Sequence, residues 1–208
     1  MKGREGLWGL AAAAWFAAAL GGFLALNRYQ AAPGAAGETP PRWPAESRLS
    51  PAADRPTLVM LAHPQCPCTR SSIGELAWIM IRAKGRVSAF VLFLQPDGKP
   101  RAWVETDLWR AAARIPGVQA LADAGGAEAR RMGAETSGQT LLFDAAGRLL
   151  FSGGITGARG HPGANAGRDA VLAALLDGGT PRGTTQVFGC ALASPEPAAQ
   201  TARLAWRL

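Results

Sequence analysis

The stretch Leu58-Val-Met-Leu-Ala-His63-Pro-Gln-Cys66-Pro-Cys68-Thr-Arg-Ser-Ser72 carries two of the three cysteines of this 208-residue chain, one residue apart. A short apolar run precedes the two cysteines, which is typical of a buried strand, and a helical pattern follows them. Thiols at such a strand-to-helix turn meet the unpaired N–H groups of the helix start, which favour the thiolate. The motif therefore predicts redox or metal chemistry, against the alternative of two unrelated buried cysteines.

Pro67 predicts different positions for the two thiols. Proline suits the first helical position and pushes the preceding residue towards an extended conformation, so Cys66 is predicted to be the N-cap. Cys66 would then be the exposed nucleophile, with its pKa lowered by the helix end, and Cys68 would be the resolving thiol. A disulfide between them closes a small, strained ring, which makes such a bond labile and oxidising rather than structural.

The rest of the pattern predicts an α/β domain with a mixed sheet. Apolar strands at Thr57–Ala62 and 87–94 flank a helix at 69–84, and this order implies a parallel pair. The elements predicted after them are a helix at 103–115, a strand at 118–122, a helical turn at 128–132, a hairpin at 140–143 and 148–151, and a helix at 165–176. Helices then lie on both faces of the sheet, as in a three-layer domain.

The first 29 residues have the pattern of a membrane anchor or a signal sequence. Lys2 and Arg4 precede an uncharged apolar stretch at 7–26. About 20 helical residues span about 30 Å, the thickness of a hydrocarbon core. We predict an uncleaved single-pass helix in the cytoplasmic membrane, with a cleaved signal as the alternative. The positive residues favour a cytoplasmic N-terminus, so the remainder would be extracytoplasmic.

Composition predicts three further regions. Residues 30–55 are rich in Pro, Ala and Gly, which is typical of a linker that tethers a domain. The folded domain is predicted at 56–193. The hydrophobic fraction of the chain, 48%, is sufficient for a core. Residues 194–208 are predicted to be a C-terminal extension.

The composition also excludes some classes of function. The net charge of +7 comes without a dense basic block or a stacked aromatic series, so nucleic-acid binding is unsupported. The acidic residues show no paired arrangement suited to hydrolysis. The glycine-rich segment 153–160 lacks the spacing of a nucleotide-binding loop.

Two blocks of the chain resemble thioredoxin-fold proteins, over residues 55–178. One is the cysteine pair between strand and helix, and the other, at 123–151, resembles the closing half of peroxiredoxin-like and cytochrome-maturation thioredoxins. The cysteine motif is similar to that of RedB-like proteins when it is combined with three others: Gly153-Gly-Ile-Thr156, Arg159-Gly-His161 and Val187-Phe-Gly-Cys190. The resemblance implies a thioredoxin-like fold.

The chain departs from ordinary thioredoxins at two places. One residue, Pro67, separates the cysteines instead of two, and Ser137-Gly138 stands where those proteins carry a cis-proline facing the cysteines. In the family that proline excludes metal and shapes the groove for a partner. Its absence leaves room for a metal or another ligand.

A metal site is the alternative to redox chemistry. His63, Cys66 and Cys68 could supply one nitrogen and two sulfurs, and soft thiolates select Cu(I) or Zn. The motif also resembles that of Sco-type copper chaperones, which use two cysteines in this loop and a histidine from a later loop. That resemblance implies copper, with His161 as a further ligand.

Cys190 leaves three alternatives open. It could resolve Cys66 from the C-terminal segment, complete a metal site, or lie buried as a small apolar residue. Arg159 and Arg70 are candidates for favouring a thiolate, or else are surface arginines.

These patterns together predict a membrane-tethered, extracytoplasmic thioredoxin-like protein. It would exchange disulfides with a partner thiol or disulfide protein through Cys66 and Cys68. The second hypothesis is a copper-binding chaperone that uses the same cysteines with His63 or His161. The third is a thioredoxin-fold scaffold whose cysteines are structural.

Overall fold

The computed structural model describes residues 2–177 and 183–192, in two units that divide between Ala32 and Pro33. The first unit is a helix, α1 (Lys2–Ala31). Its apolar window has a mean hydropathy of 1.8 and is unburied. Among the described residues it is the one helix long and apolar enough to cross a membrane, a test that an anchor passes and that a signal sequence near the N-terminus can also pass.

The second unit is built on a six-stranded mixed sheet. Across the sheet the strands lie in the order β3 (Val118–Ala124), β2 (Ser88–Gln95), β1 (Thr57–Ala62), β4 (Gln139–Phe143), β5 (Leu149–Gly154) and β6 (Gly183–Thr184). Strand β1 lies inside the sheet, between β2 and β4, and every one of its residues is buried. It pairs in parallel with β2 and antiparallel with β4, and β4 pairs antiparallel with β5.

Helices lie on both faces of this sheet. They are α2 (Pro67–Ala83), α3 (Arg101–Val104), α4 (Asp107–Ala113), α5 (Ala127–Arg131) and α6 (Ala166–Leu176). Leu58 and Met60 of β1 pack with α2, α4 and α6 on one face, while Val59 and Leu61 pack with α5 on the other. This alternation is the period of a strand buried on both sides. The predicted three-layer α/β domain is confirmed.

The single helix predicted at 103–115 is wrong, because α3 and α4 are separate helices. Thr106 has an extended conformation between them and is the N-cap of α4. Its hydroxyl donates to the carbonyl of Pro64 at 3.0 Å. This bond joins residues distant in sequence and outweighs the continuous helical pattern of the segment.

The segment before β1 also differs from the predicted tether at 30–55, because residues 33–56 pack on the domain. The Trp43 ring meets Phe143 edge-on, with 5.2 Å between the ring centroids. The backbone N–H of Trp43 donates to Gly147 O at 2.8 Å, and that of Gly34 donates to Val187 O at 2.8 Å. Burial of an aromatic ring outweighs the Pro- and Gly-rich composition here. The predicted extension at 194–208 lies outside the described residues.

Candidate active site

Cys66 is the N-cap of α2, as predicted. Its backbone is extended, at φ −85° and ψ 119°, and Pro67 follows in the first turn of the helix. The Thr69 N–H donates to the carbonyl of Cys66 at 3.0 Å. The N–H groups of Cys68 and Thr69 at the helix start face the Cys66 sulfur and favour its thiolate.

Cys190 reaches the same place from the far end of the chain. We call residues 183–192 the C-terminal arm. The N–H of Ser137 donates to Cys190 O at 2.8 Å, and the N–H of Leu192 donates to Glu135 O at 2.8 Å. These bonds flank an antiparallel bridge between Thr136 and Ala191. The arm therefore runs as a short added strand beside the loop that precedes β4.

Gly189 is required for that close approach. A Cβ atom placed on this residue would lie 1.9 Å from the Ser137 carbonyl oxygen. The carbonyl of Gly189 also accepts a hydrogen bond from the Arg159 guanidinium. The arm is thus attached on one side to the loop at Ser137 and on the other to the loop that carries Arg159.

Ser137 connects the arm to the start of α2. Its hydroxyl accepts from the His63 N–H at 2.8 Å and lies 2.8 Å from the Thr69 hydroxyl. The side chain is buried, with 1% exposure. Ser137 and Gly138 occupy the place predicted to lack a cis-proline, and Gly138 has a φ of +93° that glycine readily adopts. The serine hydroxyl bonds both sides of the cysteine turn.

The three cysteines are free thiols with different acidities. Burial raises the pKa of Cys66, but hydrogen bonding from the Cys190 thiol and N–H, with the N–H groups of Thr69 and Cys68, brings it below its usual value. Burial and the nearby Cys66 charge raise the pKa of Cys68, while Arg159 opposes this. Burial and hydrogen bonding to Cys66 raise the pKa of Cys190 to about 12. Cys66 is therefore the thiol most readily ionised.

The prediction that Cys66 is exposed is wrong. Cys66 is 1% exposed, whereas Cys68 and Cys190 are partly exposed. The physical reason is the C-terminal arm, which the pattern around residue 66 cannot reveal. Cys190 is neither isolated nor fully buried, and it stands against the cysteine turn.

The two histidines are engaged in contacts of their own. His63 Nδ1 accepts from the Gln65 N–H at 3.2 Å, and its ring meets Trp103 edge-on with 5.6 Å between centroids. Burial lowers the pKa of His63. His161 is exposed, and its Nδ1 lies 2.8 Å from the carbonyl oxygen of Arg159.

The predicted ligands His63, Cys66, Cys68 and His161 are not brought together as one group in the structure. Within residues 2–177 and 183–192, no group of three or more His, Cys, Asp or Glu side chains is arranged to hold a metal ion. The arrangement gathers sulfurs rather than sulfurs with imidazoles.

A buried ion pair anchors the loop that carries Arg159, and sequence reasoning missed it. Glu75 of α2 accepts from the Gly163 N–H at 2.6 Å and from the Arg168 guanidinium at 3.0 Å. Arg168 also stacks over the Trp78 ring, 4.1 Å from its centroid. The available signal was a carboxylate four residues before Ile79, on the buried face of α2.

The arginines differ in position. Arg70 pairs with Asp107 on the surface, with both side chains largely exposed. Arg159 lies by the thiols and lowers the pKa of Cys68 relative to burial alone. Arg159 is thus the arginine that contributes charge to the site.

The domain has a thioredoxin-like fold. A β1-α2-β2 crossover is joined to the antiparallel β4-β5 hairpin and α6, with the cysteine turn at the start of α2. No protein-family model matches the chain, and no curated protein matches it. The similarity to known proteins therefore comes from solved structures. Their sequence identities to this chain are so low that they support the fold and nothing further.

Two of these structures cover most of the chain. An uncharacterized conserved protein from Geobacillus kaustophilus superposes with a TM-score of 0.55 at 17% identity, over 78% of this chain and 93% of its own. A hypothetical protein from Sinorhizobium meliloti 1021 also superposes with a TM-score of 0.55, at 20% identity, over 80% of this chain and 98% of its own.

A third structure is the exposed lipoprotein thioredoxin of Streptococcus pneumoniae. Its TM-score is 0.44 at 15% identity, over 60% of this chain and 86% of its own.

Proposed function

We propose that this protein exchanges disulfides with partner thiols, with Cys66 as the attacking thiolate. The observation that carries the proposal is the gathering of three free thiols at the start of α2, with Cys66 interacting with both of the others. The thiolate, not the thiol, attacks a disulfide, and the pKa of Cys66 is the one held below its usual value.

The exchange balances without a cofactor. The Cys66 thiolate attacks one sulfur of a partner disulfide, a mixed disulfide forms, and the partner's other sulfur leaves as a thiolate. A second thiol of the cluster then loses its proton and attacks the Cys66 sulfur. An internal disulfide forms and the partner leaves as a dithiol. The reverse sequence oxidises a partner dithiol.

A partner reaches Cys66 only when the C-terminal arm moves. Cys66 is 1% exposed, and the part of the arm beside it is held by backbone hydrogen bonds to Glu135 and Ser137 and by the Arg159 guanidinium on the Gly189 carbonyl. Each such bond contributes only about 0.5–1.5 kcal/mol net. Local opening of this size is accessible to a folded protein, so burial of Cys66 slows exchange without preventing it.

The exchange is proposed to occur outside the cytoplasm. An apolar helix precedes the domain in the sequence. Lys2 and Arg4 come before the uncharged part of this helix, which favours a cytoplasmic N-terminus. Oxidising compartments are where disulfides persist. A membrane-tethered carrier would meet its partner protein there. We include in this proposal that the protein is RedB-like, as its motifs suggest.

Redox equilibration tests the proposal. Full-length protein in detergent is equilibrated with glutathione buffers of graded ratio, free thiols are trapped by alkylation, and intact mass gives the number trapped. We expect wild type to lose and regain one pair of thiols reversibly, and C66S to lose none. Equal behaviour of wild type and C66S would refute the role of Cys66. One tightly held Cu(I) per chain, without exchange, would instead favour the copper chaperone.

A further inference from the structure

The cluster offers Cys66 two possible partners for an internal disulfide. Cys68 and Cys190 each interact with its sulfur. Contact alone therefore does not select the resolving thiol. The backbone that carries each partner does, because a disulfide needs both chains to turn their Cβ atoms towards each other.

We propose that Cys190, rather than Cys68, resolves the mixed disulfide on Cys66, so that the C-terminal arm is a redox-active part of the site. This inference rests on the proposed exchange function. It assigns to the arm a chemical role as well as a covering one.

Cys68 is poorly placed because it is held inside a helix. It is the second residue of α2, which begins at Pro67. Cys66, as the extended N-cap, and Cys68, in the first turn, have their Cβ directions fixed by the helix start, although their thiols interact. A bond from Cys68 to Cys66 would have to distort this first turn, including the 3.0 Å hydrogen bond from the Thr69 N–H to Cys66 O. The strain would fall on the most buried part of the site.

Cys190 carries no such constraint. The residues on either side of it belong to no helix, and the arm approaches the cysteine turn from outside. The Ser137 N–H fixes the carbonyl of Cys190, while the Ser137 hydroxyl fixes the turn on which Cys66 stands. A single residue thus positions both thiols. A bond between them would tie the arm to α2 without unwinding the helix.

The balanced reaction can be written with glutathione disulfide as the oxidant. The Cys66 thiolate attacks one of its sulfurs, and glutathione thiolate leaves. The Cys190 thiol then gives its proton to that thiolate, its sulfur bonds to Cys66, and a second glutathione thiolate departs and takes a proton from water. Two protein thiols have been oxidised, and one glutathione disulfide has been reduced to two glutathione molecules.

The electrostatics of Cys190 change in the favourable direction between these steps. In the resting protein the neighbouring Cys66 charge helps to keep the Cys190 thiol protonated. Once Cys66 is in a mixed disulfide it carries no charge, so this cause disappears. Arg159 remains nearby and favours the Cys190 thiolate. Cys190 is therefore held in reserve until Cys66 has reacted.

Tryptic mapping distinguishes the two resolving thiols. Trypsin leaves Cys66 and Cys68 together on residues 49–70, because the Arg55–Pro56 bond resists cleavage, and it leaves Cys190 on residues 183–203. A bond between Cys66 and Cys68 stays within one peptide, whereas a bond to Cys190 links two peptides.

The test treats reduced full-length protein with glutathione disulfide, quenches it with acid at intervals, and maps the peptides. Wild type and C68S are both expected to link residues 49–70 to 183–203. C190S is expected to lose this link and to accumulate a glutathione adduct on Cys66. Circular dichroism confirms that each variant is folded, and the wild-type map needs no variant at all.

Two results would go against the inference in different ways. If C190S closes an internal disulfide at the wild-type rate while C68S accumulates the adduct, Cys68 is the resolving thiol and the exchange function stands. If wild type forms neither an adduct nor an internal disulfide, the proposed function itself fails.

Discussion

Replacing Gly189 by alanine should detach the C-terminal arm without touching any thiol. The new Cβ would lie 1.9 Å from Ser137 O, and Cβ contacts under 3.0 Å essentially do not occur. The arm must therefore move by about 1 Å or more at a point held by backbone on both sides. Such a shift breaks the 2.8 Å bond from the Ser137 N–H to the next residue, Cys190.

The size of the effect follows from the bonds that are lost. The arm is joined to the loop by two backbone hydrogen bonds, at Ser137 and Leu192. At about 0.5–1.5 kcal/mol net for each bond, their loss costs about 1–3 kcal/mol. Cys66 would at the same time lose the hydrogen bonding from Cys190 that lowers its pKa, so we expect that pKa to rise.

Alkylation by iodoacetamide across a pH series measures both consequences. With G189A, the pH midpoint for alkylation of Cys66 should move upward, because the thiolate has lost hydrogen-bond donors. Above that midpoint the rate should exceed the wild-type rate, because Cys66 is no longer covered. G74A is the matched control, since a Cβ at Gly74 meets nothing within 4 Å. An unchanged midpoint and rate in G189A would refute the covering role of the arm.

Two further predictions concern charge at the site. E75A should destabilise the fold by about 3 kcal/mol in urea unfolding, because it removes the buried carboxylate beside Arg168, whose side chain is 12% exposed, and leaves only the exposed Asp169 at 3.5 Å. R70A, which removes an exposed ion pair, should leave the unfolding midpoint unchanged. C66A should lower the pKa of Cys190 from its value of about 12, because the charge and acceptor on Cys66 disappear while burial persists. Alkylation of Cys190 in C66A would then begin at lower pH than in wild type, and an unshifted profile would show that Cys66 does not act on it.

Local patterns were sufficient for the start of α2 and for the parallel pairing of β1 with β2. Pro67 marks the first turn of the helix because its ring fixes φ and it lacks an N–H, and both are properties of one residue. The apolar runs at β1 and β2 identify a buried parallel pair for a similar reason, since strands covered on both faces need apolar side chains throughout. These features depend on neighbours in the sequence.

The missing parts of the site depend on residues far apart in the sequence. Cys190 lies more than a hundred positions from Cys66, and its placement rests on backbone hydrogen bonds to Glu135 and Ser137, which any residue type could make. The break before α4 likewise depends on one bond from Thr106 to Pro64. Such contacts leave no period or motif in the sequence. The lowered pKa of Cys66 was predicted, because the helix start is local in the sequence. The burial of Cys66 was not predicted, because it depends on the distant arm.

The packing of the segment before β1 decides where a soluble version of this domain should begin. Ala35 O accepts from the Thr136 hydroxyl at 2.7 Å, and Gly34 donates to Val187 of the arm. A version that begins at residue 56 would lose these hydrogen bonds and the Trp43 ring. The cysteine cluster would then lose part of its support. Cutting after α1, at Pro33, would keep the hydrogen bonds from this segment to Thr136 and to the arm.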